Sequence, residues 1–157
     1  MIRALITDVS RVLLFPKDRT YTGSLNDLYK EESLKPNYKF FNYFELNEEL
    51  LKFYKSLKGR VDVHILTSDI IQDAPELKPF WKDVIGKIFS ASKMNTHKST
   101  PDAYEKVIKE LNLAPHEVIY VDDSNENLEA AKKVGLQTVL YQINEKSLSQ
   151  MGTILRK

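Results

Sequence analysis

Cysteine is absent from this 157-residue chain, which excludes disulfides and thiolate metal sites outright. Glycine and proline are scarce, at 5 and 6 residues, and there is no low-complexity tract or internal repeat, so nothing points to disorder or a fibre. No run approaches the roughly 20 apolar residues that span a bilayer. The N-terminal stretch MIRALITDVSRVLLF superficially has the make-up of a signal peptide, but Asp8 and Arg11 interrupt it and no small-residue cleavage site follows. A soluble, cytoplasmic protein without a membrane partner is therefore expected. An excess of one charge is lacking too: 23 basic against 22 acidic side chains leave +1. That balance offers no electrostatic reason for nucleic acid or an anionic membrane as the main partner. What remains is an ordinary globular composition, 42% hydrophobic and 29% charged, about one domain long, and a single domain over 1–157 is expected.

Five short apolar segments have the pattern of buried strands: Ala4–Thr7, Val63–Thr67, Lys87–Ser90, Val118–Val121 and Thr138–Tyr141. They are continuous rather than alternating, as befits strands covered on both faces. Helical patterns lie between them. One carries Leu46, Leu50, Phe53, Tyr54 and Leu57 on one side, with Gly59 as a stop. A second starts at Thr100 as N-cap with Pro101 in its first turn, and a third runs from Ser124 to Gly135. Alternating strands and helices predict an α/β fold, a Rossmann-like three-layer sandwich around a five-stranded, mainly parallel sheet. The region of about 13–45 breaks the alternation. FPKDRTYTGSLND reads as a short hairpin or irregular flap, and 13–45 as a flap with a reduced cap. Its mixture of Lys and aromatic residues admits a nucleic-acid stacking surface; aromatic packing under a small lid is preferred.

In such folds the chemistry belongs at the carboxyl ends of the strands. Asp8, Thr67 and the pair Asp122-Asp123 all fall there. Carboxylates converging at a sheet edge repel one another unless a cation sits between them, and Mg²⁺ suits one or two carboxylates with waters and a phosphate. An Asp in that position can attack phosphorus and carry it as an acyl phosphate. Hydroxyls of Thr67 and Ser68, with the ammonium of Lys98, would bind phosphoryl oxygens and offset their charge.

These motifs, in this order, resemble those of the haloacid dehalogenase-like (HAD) hydrolase superfamily, across nearly the whole chain. ALITDVSRV resembles the first motif, VHILTSD the second, HKSTPDAY the third and VIYVDDSNENLEAAKKVG the fourth. The resemblance implies Asp8 as nucleophile, Thr67 and Ser68 as phosphate-binding hydroxyls, and Lys98 as the catalytic and phosphate-binding lysine. It implies a Mg²⁺ site made of the Asp8 carboxylate, the Ser10 carbonyl and the Asp123 carboxylate, supported by Asp122 and Asn127. The form of the fourth motif is similar to that of the branch containing glucose-1-phosphate phosphatases and epoxide-hydrolase N-terminal domains. A phosphatase acting on a phosphorylated small molecule or macromolecule, as monomer or homodimer, is the expectation.

Ser10 departs from the family pattern, in which an Asp two residues after the nucleophile acts as general acid and base. Such assistance is typically worth about 10²–10⁴-fold in rate. Three outcomes stay open: a slower phosphatase, a protein phosphorylated on Asp8 and hydrolysed poorly, or a phosphate-binding interaction domain without turnover. Asp18, Asp69 and Asp122 are candidate surrogate acids, with Asp69 preferred. About 58 residues between Asp8 and Thr67 leave room only for a flap and a cap stub, so an open site that admits a large substrate, or a cap from a second subunit, is expected. His64, His97 and His116 show no metal-ligand spacing. Lys93 is a rival to Lys98 with poorer spacing to the following helix, and Trp81 reads as either a pocket lining or an anchor. A receiver-type domain would place its acidic pair at the first strand and its nucleophile at the third, the reverse of this order.

Overall fold

A computed structural model describes residues 1–156. Its centre is a five-stranded sheet of β1 (Ala4–Thr7), β4 (Asp62–Thr67), β5 (Ile85–Ser90), β6 (Val118–Asp122) and β7 (Gln137–Leu140). The spatial order is β5-β4-β1-β6-β7 and every pairing is parallel. β1 is therefore central, and all four of its residues are buried. The side-chain period of two sorts each strand between the faces. Leu5, Val63, Ile65, Ile119 and Val121 point into one core, and Ala4, Ile6, Leu66, Val118 and Tyr120 into the other. Burying each such aliphatic side chain contributes about 1.5–3 kcal/mol.

α3 (Glu48–Ser56) and α7 (Asn144–Leu155) cover the first face, and α5 (Pro101–Leu111) with α6 (Asn125–Val134) covers the second. Leu50 and Tyr54, four residues apart, form the buried stripe of α3. Asn47 caps that helix by accepting from the Leu50 amide at 3.2 Å. Ser124 caps α6 through the Asn127 amide, and Gly135 ends it in the left-handed region at φ +98°, where a β-carbon is unfavourable. Thr100 occupies the N-cap of α5, but its hydroxyl donates instead to the His97 carbonyl at 2.8 Å.

The flap is built differently from a local hairpin. β2 (Leu14–Pro16) pairs antiparallel with β3 (Phe44–Leu46), so its two strands bracket the whole insertion. That insertion holds α1 (Leu25–Glu32) and the short α2 (Phe40–Tyr43). Several of its aromatic residues pack inward, while Phe41 stays exposed: Phe40 and Phe44 are buried with ring centroids 4.7 Å apart, and Tyr29 meets both. Trp81, in the short α4 (Lys78–Trp81), is an anchor: it is buried and its indole donates to the Gln72 carbonyl at 3.0 Å. Among the described residues, no helix is long and apolar enough to cross a membrane.

Candidate active site

Asp8 follows directly on β1, and its amide donates to the Val121 carbonyl at 2.9 Å, which continues the ladder one residue past the strand. The chain then turns sharply. The Val9 carbonyl accepts from the amides of Val12, Leu13 and Leu14, and the Arg11 amide donates to the Leu14 carbonyl at 2.7 Å. Among the described residues no backbone amide donates to the Ser10 carbonyl. From below, the Tyr54 hydroxyl donates to Thr7 Oγ1 at 3.0 Å, and that hydroxyl donates to the Asp8 carbonyl at 2.9 Å.

Lys98 is the hub of the charged groups. Its buried Nζ lies 2.8 Å from Asp8 Oδ1 and 2.9 Å from Asp122 Oδ2. Its backbone is fixed by the Tyr104 hydroxyl, which donates to the Lys98 carbonyl at 2.6 Å. Asp122 is fully buried and heavily bonded: Oδ2 also accepts from the Tyr120 hydroxyl and from Asn127 Nδ2 at 3.1 Å, and Oδ1 accepts from the Ser124 amide at 2.8 Å. With Oδ2 already surrounded by three donors, Asp122 has little capacity left for a metal and serves to hold Lys98. Burial works against the Lys98 charge, but Asp8 and Asp122 outweigh it and raise its pKa.

Burial pushes the Asp8 carboxyl up to about 7, against the pull of Lys98 and with the push of Asp122. Asp123 stands exposed at the mouth yet crowded on its inner side, and the desolvation there, with the charge of Asp122, lifts it to about 6. One ligand oxygen from each of Asp8, Asp122 and Asp123 lies within 4.8 Å of the others. When all three are ionised, three carboxylates against one ammonium leave two negative charges uncompensated. An oxygen-only donor set with that charge fits a hard divalent cation such as Mg²⁺.

Thr67 closes β4 and is almost fully buried. Since Thr7 pairs with Ile65, Asp8 is level with Leu66, and Thr67 sits one strand over and one residue further along. Ser68 is exposed beyond it. The carbonyls of Thr67 and Ser68 accept from the Ala91 and Ser92 amides at 2.8 and 3.1 Å, which ties this turn to the end of β5.

The other candidates are occupied elsewhere. Lys93 is exposed and pairs with Asp73 at 2.7 Å. Asp18 caps its own turn by accepting from Thr20, Asp69 is paired with Lys30 of α1, and Asp122 is engaged with Lys98. His64 is buried in β4, where burial lowers its pKa and its Nδ1 accepts from the Lys87 amide at 3.0 Å. Nothing in the sequence singles out Tyr54, Tyr104 and Tyr120 under the site, because a tyrosine in an apolar strand or helix reads as core. The T-shaped Tyr104–Tyr120 contact, centroids 5.0 Å apart, joins the Lys98 and Asp122 supports.

Residues 24–141 match the family described as haloacid dehalogenase-like hydrolase, a span that begins beyond Asp8 and Ser10. The chain is similar to D-ribitol-5-phosphate phosphatase from Bacteroides thetaiotaomicron, 25% identical over an alignment of 120 residues that covers 71% of this chain and 57% of that protein. A stretch of 37 residues, 24% of this chain, is 43% identical to 17% of enolase-phosphatase E1 from Aquifex aeolicus. The chain thus spans less than two thirds of either relative. Among solved structures, the fold is similar to that of a HAD-family enzyme from Bacteroides thetaiotaomicron in complex with magnesium and inorganic phosphate. The TM-score is 0.68 at 16% identity, over 90% of this chain and 95% of that one. It is also similar to a subfamily IA HAD-superfamily hydrolase from Geobacter sulfurreducens, with a TM-score of 0.66 at 18% identity over 89% and 87% of the two chains.

Proposed function

This chain belongs to the haloacid dehalogenase-like hydrolases, and within that family we propose that it is a Mg²⁺-dependent phosphatase using Asp8 as nucleophile. The observation that carries the reading is the convergence of Asp8, Lys98, Asp122 and Asp123 at the carboxyl ends of β1 and β6. Lys98 bonds Oδ1 of Asp8, which leaves Oδ2 to attack phosphorus. As that O–P bond forms, the bond from phosphorus to the leaving oxygen breaks, and the leaving oxygen takes a proton from solvent. Water then attacks the acyl phosphate, releases inorganic phosphate and restores the Asp8 carboxylate. Thr67 and Ser68 hydroxyls, with Lys98, bind the phosphoryl oxygens. The Asp8 carboxylate, Ser10 carbonyl and Asp123 carboxylate would hold Mg²⁺, which when bound offsets the charge of Asp8 and of the phosphoryl group.

A phosphorylated small molecule is the substrate class supported by the similarity to a sugar-alcohol phosphatase. The motif style of the fourth strand supports a place near the glucose-1-phosphate phosphatase branch, and a cytoplasmic monomer or homodimer is the setting proposed for it. The test is turnover of a panel of phosphomonoesters, which should require Mg²⁺ and disappear in Asp8→Asn; activity that persists in that variant sinks the reading. A second reading, a phosphate-binding domain without efficient turnover, is favoured by Ser10 together with the engagement of Asp18, Asp69 and Asp122 in other bonds. Turnover at ordinary enzyme rates of about 1–10³ s⁻¹ rules that second reading out.

A further inference from the structure

Arg11 sits two bonds of the backbone beyond the Ser10 carbonyl, and it does so in the left-handed region, at φ +59°. That conformation is unfavourable for any residue with a β-carbon, and it persists where the surroundings impose it. Here the side chain adds to the backbone bonds of the turn. Arg11 Nη2 donates to the Tyr21 carbonyl at 3.0 Å and to the Gly23 carbonyl at 2.8 Å. The segment it grips is tightly closed on itself. The Tyr21 hydroxyl donates to the Ser24 carbonyl at 3.1 Å, and a β-carbon on Gly23 would meet that hydroxyl at 2.4 Å, so a larger residue there would push the Tyr21 ring aside.

The gripped segment leads straight into α1, capped by Ser24. From α1, buried Asn26 reaches the turn that follows Thr67 and Ser68: its Oδ1 accepts from the Ile70 amide at 3.0 Å and from the Ile71 amide at 2.9 Å. One turn further along, Lys30 pairs with Asp69. A continuous path therefore runs from the loop that carries Ser10, through Arg11, residues 21–23 and α1, to the loop that carries the phosphate-binding hydroxyls. The two loops stand on neighbouring strands, β1 and β4, and α1 bonds to the second of them through Asn26.

We propose that Arg11 is a positioning residue that ties the metal-binding loop to the 67–71 loop by way of α1, so that the Thr67 and Ser68 hydroxyls are held ready for phosphate. The inference rests on the reading of Asp8, Ser10 and Thr67 given above. Arg11 is spent on geometry rather than on the substrate, since both of its bonds go to backbone carbonyls.

Arg11→Gly is the informative variant, because glycine suits the positive φ and keeps the metal loop folded while removing the strap; Arg11→Asn, which also tolerates that region, controls for glycine flexibility. Hydrogen exchange at the Ile70 and Ile71 amides, and calorimetric binding of Mg²⁺ alone and of inorganic phosphate in the presence of Mg²⁺, are the readouts. Both variants should exchange at least tenfold faster at Ile70 and Ile71, lose at least fivefold in phosphate affinity, and keep Mg²⁺ affinity within threefold. Unchanged exchange at those amides, or Mg²⁺ affinity falling as far as phosphate affinity, overturns the inference while leaving the site as read. Wild-type protein that binds neither Mg²⁺ nor phosphate overturns the site and the inference together.

Discussion

Replacing Lys98 by methionine should expose how the charged cluster is balanced. The ammonium is almost wholly buried and lies within 2.9 Å of two carboxylates, themselves buried. Methionine matches the stem but leaves Asp8 and Asp122 with no counter-charge in the metal-free protein. Breaking a buried ion pair by removing one partner costs about 3–5 kcal/mol, a large share of the 5–15 kcal/mol typical of a whole domain. The loss should depend on pH with a definite sign. Asp8 already has its carboxyl raised to about 7 by burial, and Lys98 is the main influence opposing that rise. A carboxylate whose folded-state pKa lies above its unfolded value binds more protons when folded, so stability increases as pH falls between the two. Without Lys98 the folded-state value climbs further. The Lys98→Met penalty should therefore be largest near pH 8 and shrink toward pH 5, where Asp8 is protonated in either protein. Urea unfolding with EDTA at pH 5 and pH 8 measures it, and Mg²⁺ at pH 8 should recover part of the loss by charge compensation. A penalty below about 1 kcal/mol at pH 8, or one that does not change with pH, would refute the view that the cluster is electrostatically stressed without its cation.

Ser10→Asp should raise turnover toward the about 10²–10⁴-fold that general acid-base assistance is worth, measured as kcat on a phosphomonoester; no gain means that the geometry beside Asp8 has drifted. Asn47→Ala should destabilise the chain by about 2–4 kcal/mol in urea unfolding, because buried Asn47 joins the Val12 carbonyl, Tyr141, Asn144 and the N-terminus of α3, and its loss strands several of those groups. His64, whose pKa burial lowers, should take away stability as pH falls below the ordinary histidine range, since protonated Nδ1 can no longer accept from the Lys87 amide. The slope of stability against pH between 7 and 5 should flatten in His64→Asn; an unchanged slope assigns the effect to another group. Mg²⁺ should raise the melting temperature more at pH 8 than at pH 5.5, because Asp8 and Asp123, raised to about 7 and about 6, must lose protons to bind it.

The five sheet strands were legible because a parallel strand buried on both faces leaves an unbroken apolar run, and each run ended within two residues of its observed limit. The strand-end acids were legible for the same reason: once the strand is placed, so is the residue after it. The flap was legible only as an interruption. Its β2–β3 pairing joins residues about thirty apart, and a three-residue strand such as Phe44–Leu46 carries no period that local pattern can detect. α7 went unanticipated because its apolar residues are diluted by Ser, Gln and Gly, with Met151 as its fully buried anchor. The supports of the site were the hardest to see. Tyr120 and Asp122 are two apart on one strand face, and Arg11 is an ordinary surface residue by type, so their roles arise from what the fold brings beside them.

In the proposed site, Asp8, the Ser10 carbonyl and Asp123 share one Mg²⁺ while Asp122 stays bonded to Lys98. A crystal structure of the protein with Mg²⁺ and a phosphate mimic tests this arrangement most directly. One cation on those three groups, with the mimic against Thr67 and Lys98, is the expected result. A cation held by Asp122 with Lys98 displaced, or one bound away from Asp8, contradicts it.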